Sequence, residues 1–546
     1  MPFLLTNLPV DLGDASKDPA WILAQVLGGA PGDYAKARLE RRSLDARHKS
    51  SIRFLMNLSF ETDRSLEGLP LPAGARVETA PASTLWVVPP VSARPRVVVV
   101  GTGPAGTFCA LRLLDYGIEP ILLERGPAMS ERVQAISALW GKGQLDPTAN
   151  AQFGEGGAGT FSDGKLATRT GHPAIRYVLE TFVHFGADPA VLYLAKPHVG
   201  TDVIRRCTVN IRKEAQSRGA QYRFRARLVD IRFRDGVVTA AVLEDGEEIA
   251  CDALVLAPGH SARDTFEMLA GHGVAMRQKA FAMGLRIEHP QDLIDHAQYG
   301  SGTRHPALPV ADYRLACNFS PARAAYSFCM CPGGGVIQCA SEAGGVVVNG
   351  MSNAKRDSGF ANSGLVAKVN TADFESDDLL AGVRLQRRWE VAAFEAAGRT
   401  YGAPAESVHD FLYNRPTAKL PATSFKPFAV PADLRTCLPA FILEQLIQAL
   451  PVFENKIHGY TSREAILLGI ESRTSSPVQL IRADNGESAS HPGLYPCGEG
   501  AGFAGGITSA AVDGIRVAEW IARKAGAPVF PPFERNAKGG DLTAEY

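Results

Sequence analysis

The chain has 546 residues, 45% of them hydrophobic and 21% charged, an ordinary globular composition in a length that calls for two or three domains. Lys plus Arg equals Asp plus Glu at 57 each, which argues against a global electrostatic hold on nucleic acid or an anionic membrane and leaves room only for a local patch. The nine cysteines form no CxxC pair, no run approaches the roughly 18 apolar residues of a membrane span, and MPFLLTNLPVDLGD (1–14) lacks the basic start of a signal peptide; a cytoplasmic protein with free thiols, no metal and no membrane association is expected.

Residues 1–90 read as a small α+β domain. FLLTNLPV (3–10) suits a strand, and DPAWILAQVLG (18–28) has helical periodicity, with Pro19 at the first helical position and Gly28 as the stop. ARLERRSLDARHK (37–49) and IRFLMNLSF (52–60) read as extended, and the order suggests a ferredoxin-like unit. The basic run Arg38, Arg41, Arg42, Arg47, His48, Lys49 and Arg53 reads first as a solvated strand face, with contact to phosphate of RNA or a cofactor as the alternative. GLPLPAGARVETAPAS (68–83) and VPPVSARP (88–95) are Pro-rich linkers.

The pattern changes at RVVVVGTGPAGTFCALRLLDYGIEPILLERG (96–126), a strand, a glycine turn, a helix and a second strand. Gly101, Gly103 and Gly106 form GxGxxG around Pro104 and Ala105. The first glycine permits the turn, the second admits a pyrophosphate, and the third lets the helix pack on the strand. The helix N-terminus offers free N–H groups to phosphate. Glu124 ends the second strand, where a carboxylate can accept from ribose hydroxyls and repels a 2′-phosphate; Arg125 follows it. Further on, 201–219 reads as a helix, and 224–259 as an antiparallel meander turned at Asp235-Gly236 and Asp245-Gly246, then a buried strand ending at Gly259. Residues 91–269 thus form the first part of a dinucleotide domain. Residues 270–480 are mixed, with strands near 281–288 and 326–349 and helices near 376–397 and 440–450, and read as an inserted substrate domain.

A second glycine cluster lies near the chain end in YPCGEGAGFAGGITSAAVDG (495–514). NAD folds do not normally return to their cofactor so late, whereas FAD enzymes of the glutathione-reductase type do. Gly498-Glu499 occupies the place of a Gly-Asp pair whose acid holds the ribityl chain. Gly505, Gly506 and Ile507 open a helix whose dipole favours negative charge on reduced flavin. Residues 481–546 therefore complete the FAD domain. With one GxGxxG in the chain, NAD(P)H is the candidate electron donor only by docking directly against the flavin. No His or Cys sits in an attachment motif, so FAD is expected to bind noncovalently.

Longer motifs point to one family. NAQFGEGGAGTFSDGKLATR (150–169), KPHVGTD (196–202), APGHSARDT (257–265), FAMGLRIEHPQDLID (281–295), YSFCMCPGGGVI (326–337), NGMSNAKRDSGFANS (349–363), GIESRTSSPV (469–478) and PCGEGAGFAGGITSAAVDGI (496–515) together resemble the bacterial FAD-dependent dehydrogenase-like proteins, and SLDARHK (43–49) resembles their N-terminal domain. More distantly the chain is similar to the HI0933-like flavoproteins and to the folate-dependent tRNA methyltransferases of the flavin class. The resemblance implies fold and cofactor but no substrate.

Several residues are candidates for the chemistry. In 154–165, Gly157, Ala158 and Gly159 would set backbone against a flat ligand, and Ser162, Asp163 and Lys165 could contact flavin or substrate; the alternative is a glycine loop packing on FAD with Lys165 solvated. Cys329 and Cys331 form CxC in a strand, where alternation would turn both thiols to one face, as a redox pair or as two small core residues. His260 and Arg263 follow the flavin-proximal turn, and His198 is read at the start of a helix; each could act as acid–base group or anion clamp. Ser261 could instead cap the helix, with Asp264 completing a capping-box-like exchange. Glu471, Arg473 and Ser475 could line the site or form a structural salt bridge, and Cys497 reads as packing.

The reading is an α/β FAD-dependent oxidoreductase: a glutathione-reductase-type FAD-binding Rossmann domain, an inserted α+β substrate domain and a small ferredoxin-like domain. Hydride or two-electron transfer between an unidentified small molecule and FAD is expected, with reoxidation by an unidentified acceptor. An RNA-modifying flavoenzyme and a non-enzymatic flavin-binding assembly or sensor protein are the alternatives. Zero net charge weighs against nucleic acid as a partner, and oligomeric state is not legible.

Overall fold

A computed structural model describes residues 2–80, 86–168, 171–300 and 305–531. The N-terminal sheet has the order Ala35–Asp45, Arg53–Glu61, Phe3–Asp11, Arg76–Thr79, with antiparallel neighbours throughout. Its alternating pattern sends Leu5 and Leu8 of one strand and Met56, Leu58 and Phe60 of the next into a core closed by helix Pro19–Leu27. That helix starts at Asp18, whose carboxylate accepts the Ala20 N–H, and stops at Gly28, φ +77°. The strand Arg76–Thr79 falls in a stretch that reads as linker. Its pairing with Phe3–Thr6, a tertiary contact, overrides the local Pro and Gly signals. Residues 81–85 of that stretch lie outside the described residues.

The basic strand is partly committed to structure. The Arg42 N–H donates to the Tyr193 carbonyl at 2.7 Å and its own carbonyl accepts from Ala195 at 2.9 Å, joining this sheet to the segment that runs on to His198. The Arg42 guanidinium lies over the Phe54 and Tyr193 rings, and Arg47 and Arg53 pair with Asp45.

Beside it stands a five-stranded parallel sheet, in the order Leu494–Pro496, Ala253–Leu256, Val97–Val100, Ile121–Glu124, Gln221–Phe224. Its central strands are continuous apolar runs because both faces are covered. Helices Pro104–Asp115 and Ile507–Lys524 pack together on one face; a Cβ on Gly514 would stand 2.0 Å from the Ala105 carbonyl oxygen, so only glycine allows that approach. The meander Leu228–Arg234, Val237–Leu243, Glu248–Ala250 covers the other face, turning at Asp235 and Gly236, both at positive φ.

A seven-stranded sheet makes up the rest, in the order Ala316–Ser320, Arg323–Cys331, Phe360–Val369, Phe281–Pro290, Ile466–Glu471, Ala403–Ser407, Ala429–Pro431. Helices Ala381–Ala396 and Ala440–Glu454 bury their apolar faces against it. The stretch 326–349, which reads as strand, is divided: Pro332, Gly333 and Gly334 end Arg323–Cys331, and a separate hairpin pairs Gly335–Gln338 with Val348–Met351. Among the described residues no helix is long and apolar enough to cross a membrane, and no cluster of His, Cys, Asp and Glu is suited to a metal.

Candidate cofactor and active site

Both glycine clusters open onto one cleft, which holds about 1590 Å³ of free space out to its mouth. Strand Val97–Val100 feeds the turn at Gly101, φ +97°, where a Cβ would stand 2.2 Å from the Ala257 carbonyl oxygen. Gly106 does not reach the cleft; a Cβ there would meet the Gly101 carbonyl oxygen at 2.0 Å, so its role is to bring helix and strand together. Gly103 is different. A Cβ there would meet only the Gly157 Cα, at 3.8 Å, so the protein alone does not require glycine. No side chain caps the helix at Gly103, and Gly103, Pro104 and Ala105 line the cleft with the helix N-terminus.

From the chain end, strand Leu494–Pro496 leads to Glu499, and helix Ile507–Lys524 opens at Gly506, φ +87°, again with no side-chain cap. Glu499, Gly506 and Ile507 line the cleft beside the start of the first helix; Gly498 and Gly505 do not line it. Gly498 donates its N–H to Asp513, itself gripped by Arg482 through two N–H donors at 2.9 and 3.0 Å. Burial pushes the Glu499 carboxyl up to about 7, against the pull of Lys279 and the Gly506 N–H.

Glu124 lies in the cleft wall, and its four protein bonds tie the floor together. It accepts from the Thr102 N–H and hydroxyl at 3.1 and 2.7 Å, and from the N–H groups of Gly126 and Gly154 at 3.0 Å each. Arg125 lines the cleft beside it, held by Asp264 and stacked on Phe153. The loop carrying Gly157, Ala158 and Gly159 is shaped by a residue that sequence reasoning passed over. Arg132, wholly buried, donates to the carbonyls of Asn150, Ala151, Gly154, Glu155 and Gly157 and to the Thr160 hydroxyl. Its only signal in the sequence is an arginine on the inward face of the helix Met129–Lys142, right after the nucleotide-binding unit.

A charged corner closes one end. Asp163 is buried and takes Arg356 at 2.9 Å, the Ser352 hydroxyl and Lys165 at 3.4 Å. Lys165 also donates to the Met330 carbonyl, and it lines the cleft together with Ser162 and Asp163, so it is not a solvated bystander. His198 belongs to this corner and not to a helix start: it bridges Lys165 as extended backbone, and the helix begins only at Thr201, after Gly200. Its ring Nε2 stands 3.2 Å from the Ser352 hydroxyl, and burial with nearby Arg356 takes its pKa down to about 4.

The CxC strand departs from simple alternation. A bulge interrupts its pairing between Phe328 and Cys331, and Cys329 sits at φ +43°. Cys329 lines the cleft, and Cys331 is fully buried behind it, its thiol directed at the Cys329 carbonyl at 3.2 Å. Arg286, also buried, donates to the Cys329 carbonyl at 2.8 Å, to the Cys331 sulfur at 3.3 Å and to both oxygens of Glu471.

On the opposite wall, Gly259 and His260 line the cleft. Burial, with Arg473 and Arg263 near, holds His260 down to about 3, so its ring is neutral and can exchange hydrogen bonds but carries no cation. Ser261 does not cap the following helix: the cap position is Ala262, and the Ser261 hydroxyl turns back to His260 Nδ1 at 3.0 Å. Arg263 and Arg473 both close on the buried Glu390 and on Glu342, which makes them a structural ion cluster, although Arg473 still borders the cleft. Ser475 lines a second cavity of about 1090 Å³, which shares Phe328 and Thr474 with the cleft. Cys497 is buried with its thiol pushed far up, as expected of a packing residue.

These residues fit a flavin dinucleotide. Two uncapped helix N-termini lie side by side on one cleft, and Gly103 keeps open a space that the protein itself does not fill. Comparison with known proteins agrees. Residues 95–282 match the family profile "pyridine nucleotide-disulphide oxidoreductase", and residues 280–474 match "FAD-dependent protein, C-terminal domain-like". A protein of Clostridium beijerinckii, described only as uncharacterized, is 42% identical over 539 residues, spanning 97% of this chain and all of that one. Looser likenesses among solved structures include the flavin-dependent brominase Bmp2 (13% identity, 82% of this chain and 84% of that one, TM-score 0.37) and glycine oxidase from Bacillus cereus (12%, 79% and 98%, TM-score 0.34).

Proposed function

This chain belongs to the family of that clostridial protein, a family of FAD-dependent proteins, and from that premise we propose that it is an oxidoreductase moving a hydride or two electrons between a small molecule and noncovalently held FAD. The observation that carries the proposal is the single cleft shared by the two glycine clusters, with a second cavity that has Phe328 and Thr474 in common with its wall. Bound FAD supplies the two-electron chemistry. The N-terminus at Gly103–Ala105 would hold the pyrophosphate, Glu499 a ribityl hydroxyl, and the N-terminus at Gly506–Ile507 the electron-rich edge of the ring. Lys165, paired with Asp163 and facing the cleft, supplies a fixed positive charge where negative charge develops on reduction. His260, neutral, orients a ligand by hydrogen bonding. The second cavity, walled by Phe281, Tyr326 and Phe328 with Lys368 at its rim, is the place for the substrate.

The domain limits proposed for this function are those of the sequence: 1–90, then FAD domain 91–269 with 481–546, around a substrate domain 270–480. The test is anaerobic reduction of the yellow protein by NADH and NADPH, read by its visible spectrum. Rapid bleaching is the result expected if NAD(P)H is the donor. Bleaching by dithionite alone turns the search toward an organic reductant. A colourless protein that takes up no added FAD overturns the proposal.

A further inference from the structure

In a regular strand, residues i and i+2 point the same way but their side chains are too far apart to bond. A disulfide needs Cβ atoms about 3.5–4.5 Å apart. At Cys329 and Cys331 the strand is not regular. The bulge and the left-handed backbone of Cys329 fold the strand so that the Cys331 thiol turns back and reaches the Cys329 carbonyl at 3.2 Å. A non-glycine residue in that region is strained and persists only where the surroundings impose it. Here Arg286 imposes it, clamping the Cys329 carbonyl and the Cys331 sulfur with one guanidinium nitrogen while Glu471 holds the other. Two buried thiols that only filled space would need neither the kink nor a cation on sulfur.

The two sulfurs also differ in access. Cys329 faces the cleft and Cys331 is sealed behind it. The hydrogen bond from Cys331, with Lys165 and Arg286 near, holds the Cys329 thiol below its ordinary range despite burial, whereas burial pushes the Cys331 thiol up. A cleft-facing thiol held below its ordinary range, in front of a protonated partner, is the arrangement of an attacking and a resolving cysteine.

We propose that Cys329 and Cys331 are a redox pair, cycling between dithiol and disulfide against the FAD held in the same cleft and exchanging with an external low-molecular-weight thiol. In the forward step the Cys329 thiolate and the Cys331 thiol form one S–S bond, the Cys331 S–H bond breaks, and two electrons and that one proton pass to oxidised flavin. In the return step the external thiolate attacks the Cys329 sulfur, Cys331 leaves and is protonated, and a second external thiol releases Cys329 with formation of the external disulfide. This rests on the FAD reading above. It adds a substrate class, thiol or disulfide, to a site otherwise defined only by its cofactor.

The test uses the full chain with FAD, equilibrated anaerobically in glutathione buffers from fully reduced to fully oxidised, acid-quenched, alkylated and digested. Trypsin should release residues 324–355, which hold Cys329, Cys331 and Cys339. The expected result at oxidising poise is a peptide that carries one alkyl group instead of three and is about 2 Da lighter than the singly alkylated dithiol, with the link between Cys329 and Cys331 and with Cys339 still alkylated. The link should be absent in Cys329→Ser and Cys331→Ser, with Cys331→Ala as the smaller replacement should the serine disturb the Arg286 clamp. Mixing the reduced protein with oxidised FAD should bleach about one flavin per disulfide formed. A yellow protein whose two cysteines stay alkylated at the most oxidising poise overturns the pair and leaves the FAD reading intact. A disulfide that forms without bleaching overturns the flavin coupling. A colourless protein strikes the FAD reading itself.

Discussion

Gly103 and Gly157 meet across the cleft on unequal terms: a Cβ on Gly157 would stand 2.9 Å from the Gly103 Cα, whereas one on Gly103 would have no protein atom closer than 3.8 Å. The space in front of Gly103 is therefore kept for something other than protein. Gly103→Ala is expected to fold with stability within about 1 kcal/mol of the parent and to lose FAD, whereas Gly106→Ala, its Cβ driven against the Gly101 carbonyl, should unfold at markedly lower denaturant. Flavin absorbance after gel filtration and urea midpoints, read together, separate the two. Equal FAD retention in both would remove the case for a pyrophosphate at Gly103.

Arg132 is the next test. Its guanidinium answers six acceptors of the loop 150–160; on truncation the Gly154 and Gly157 carbonyls keep other donors, while those of Asn150, Ala151 and Glu155 lose the Arg132 donor. Arg132→Ala should cost about 3–5 kcal/mol, the scale for breaking a buried charged network, and should abolish FAD retention even where the protein still folds. Denaturant unfolding with and without added FAD measures both.

Glu390 holds two arginines from different parts of the chain. Arg263 follows the Rossmann strand Ala253–Leu256, and Arg473 follows the large-sheet strand Ile466–Glu471. Glu390→Gln leaves both guanidinium groups facing Glu342 alone, and about 3–5 kcal/mol of lost stability is expected, with little change for Glu342→Gln, whose side chain is a third exposed. Thermal unfolding of both variants is the measurement.

Glu499 predicts a pH dependence with a definite sign. Its carboxyl is raised from 4.5 to about 7 in the FAD-free fold. Between those values the folded protein holds a proton that the unfolded chain has released. The stabilisation is full below about 4.5 and is lost as pH rises to about 7. Glu499→Gln should make the stability profile shallower across that window, leaving the shares of Glu406 and Glu471, whose carboxyls burial also raises to about 7, and should raise stability at pH 8. A parallel pair of profiles would contradict the assignment.

The parallel sheet was legible because its signals are local: the valine run at 97–100, the glycines of the turn and the acid at 124 all fall within one βαβ unit. The second glycine cluster was legible for the same reason. What the sequence concealed is set by distant partners. Ser261 has the look of a helix cap, but its hydroxyl prefers the neighbouring His260 ring. His198 stands three residues before a helix, but pairing with Lys165 keeps it extended. Arg473 has the look of an anion clamp until Glu390, some eighty residues earlier in the chain, neutralises it. Cys329 and Cys331 read as a flat strand because nothing local announces a bulge, which comes from the Arg286 clamp and the pairing to Phe360–Val369. Arg132 was missed because it serves carbonyls, and carbonyls carry no signature in a sequence.

The edge strand Leu494–Pro496 and the helix Ile507–Lys524 have a consequence for synthesis on the ribosome. The strand beside them, Ala253–Leu256, and the helix Pro104–Asp115 emerge hundreds of residues earlier, with one sheet edge and one apolar helix face still uncovered. The seven-stranded sheet, complete once Ile466–Glu471 has emerged, can close first. The nascent Rossmann half must wait, its exposed edge in need of shelter, until the helix Ile507–Lys524 leaves the exit tunnel. Cofactor capture is thus expected only after that helix has docked, and a chain truncated after residue 490 would be left with a half-built pocket and an open sheet.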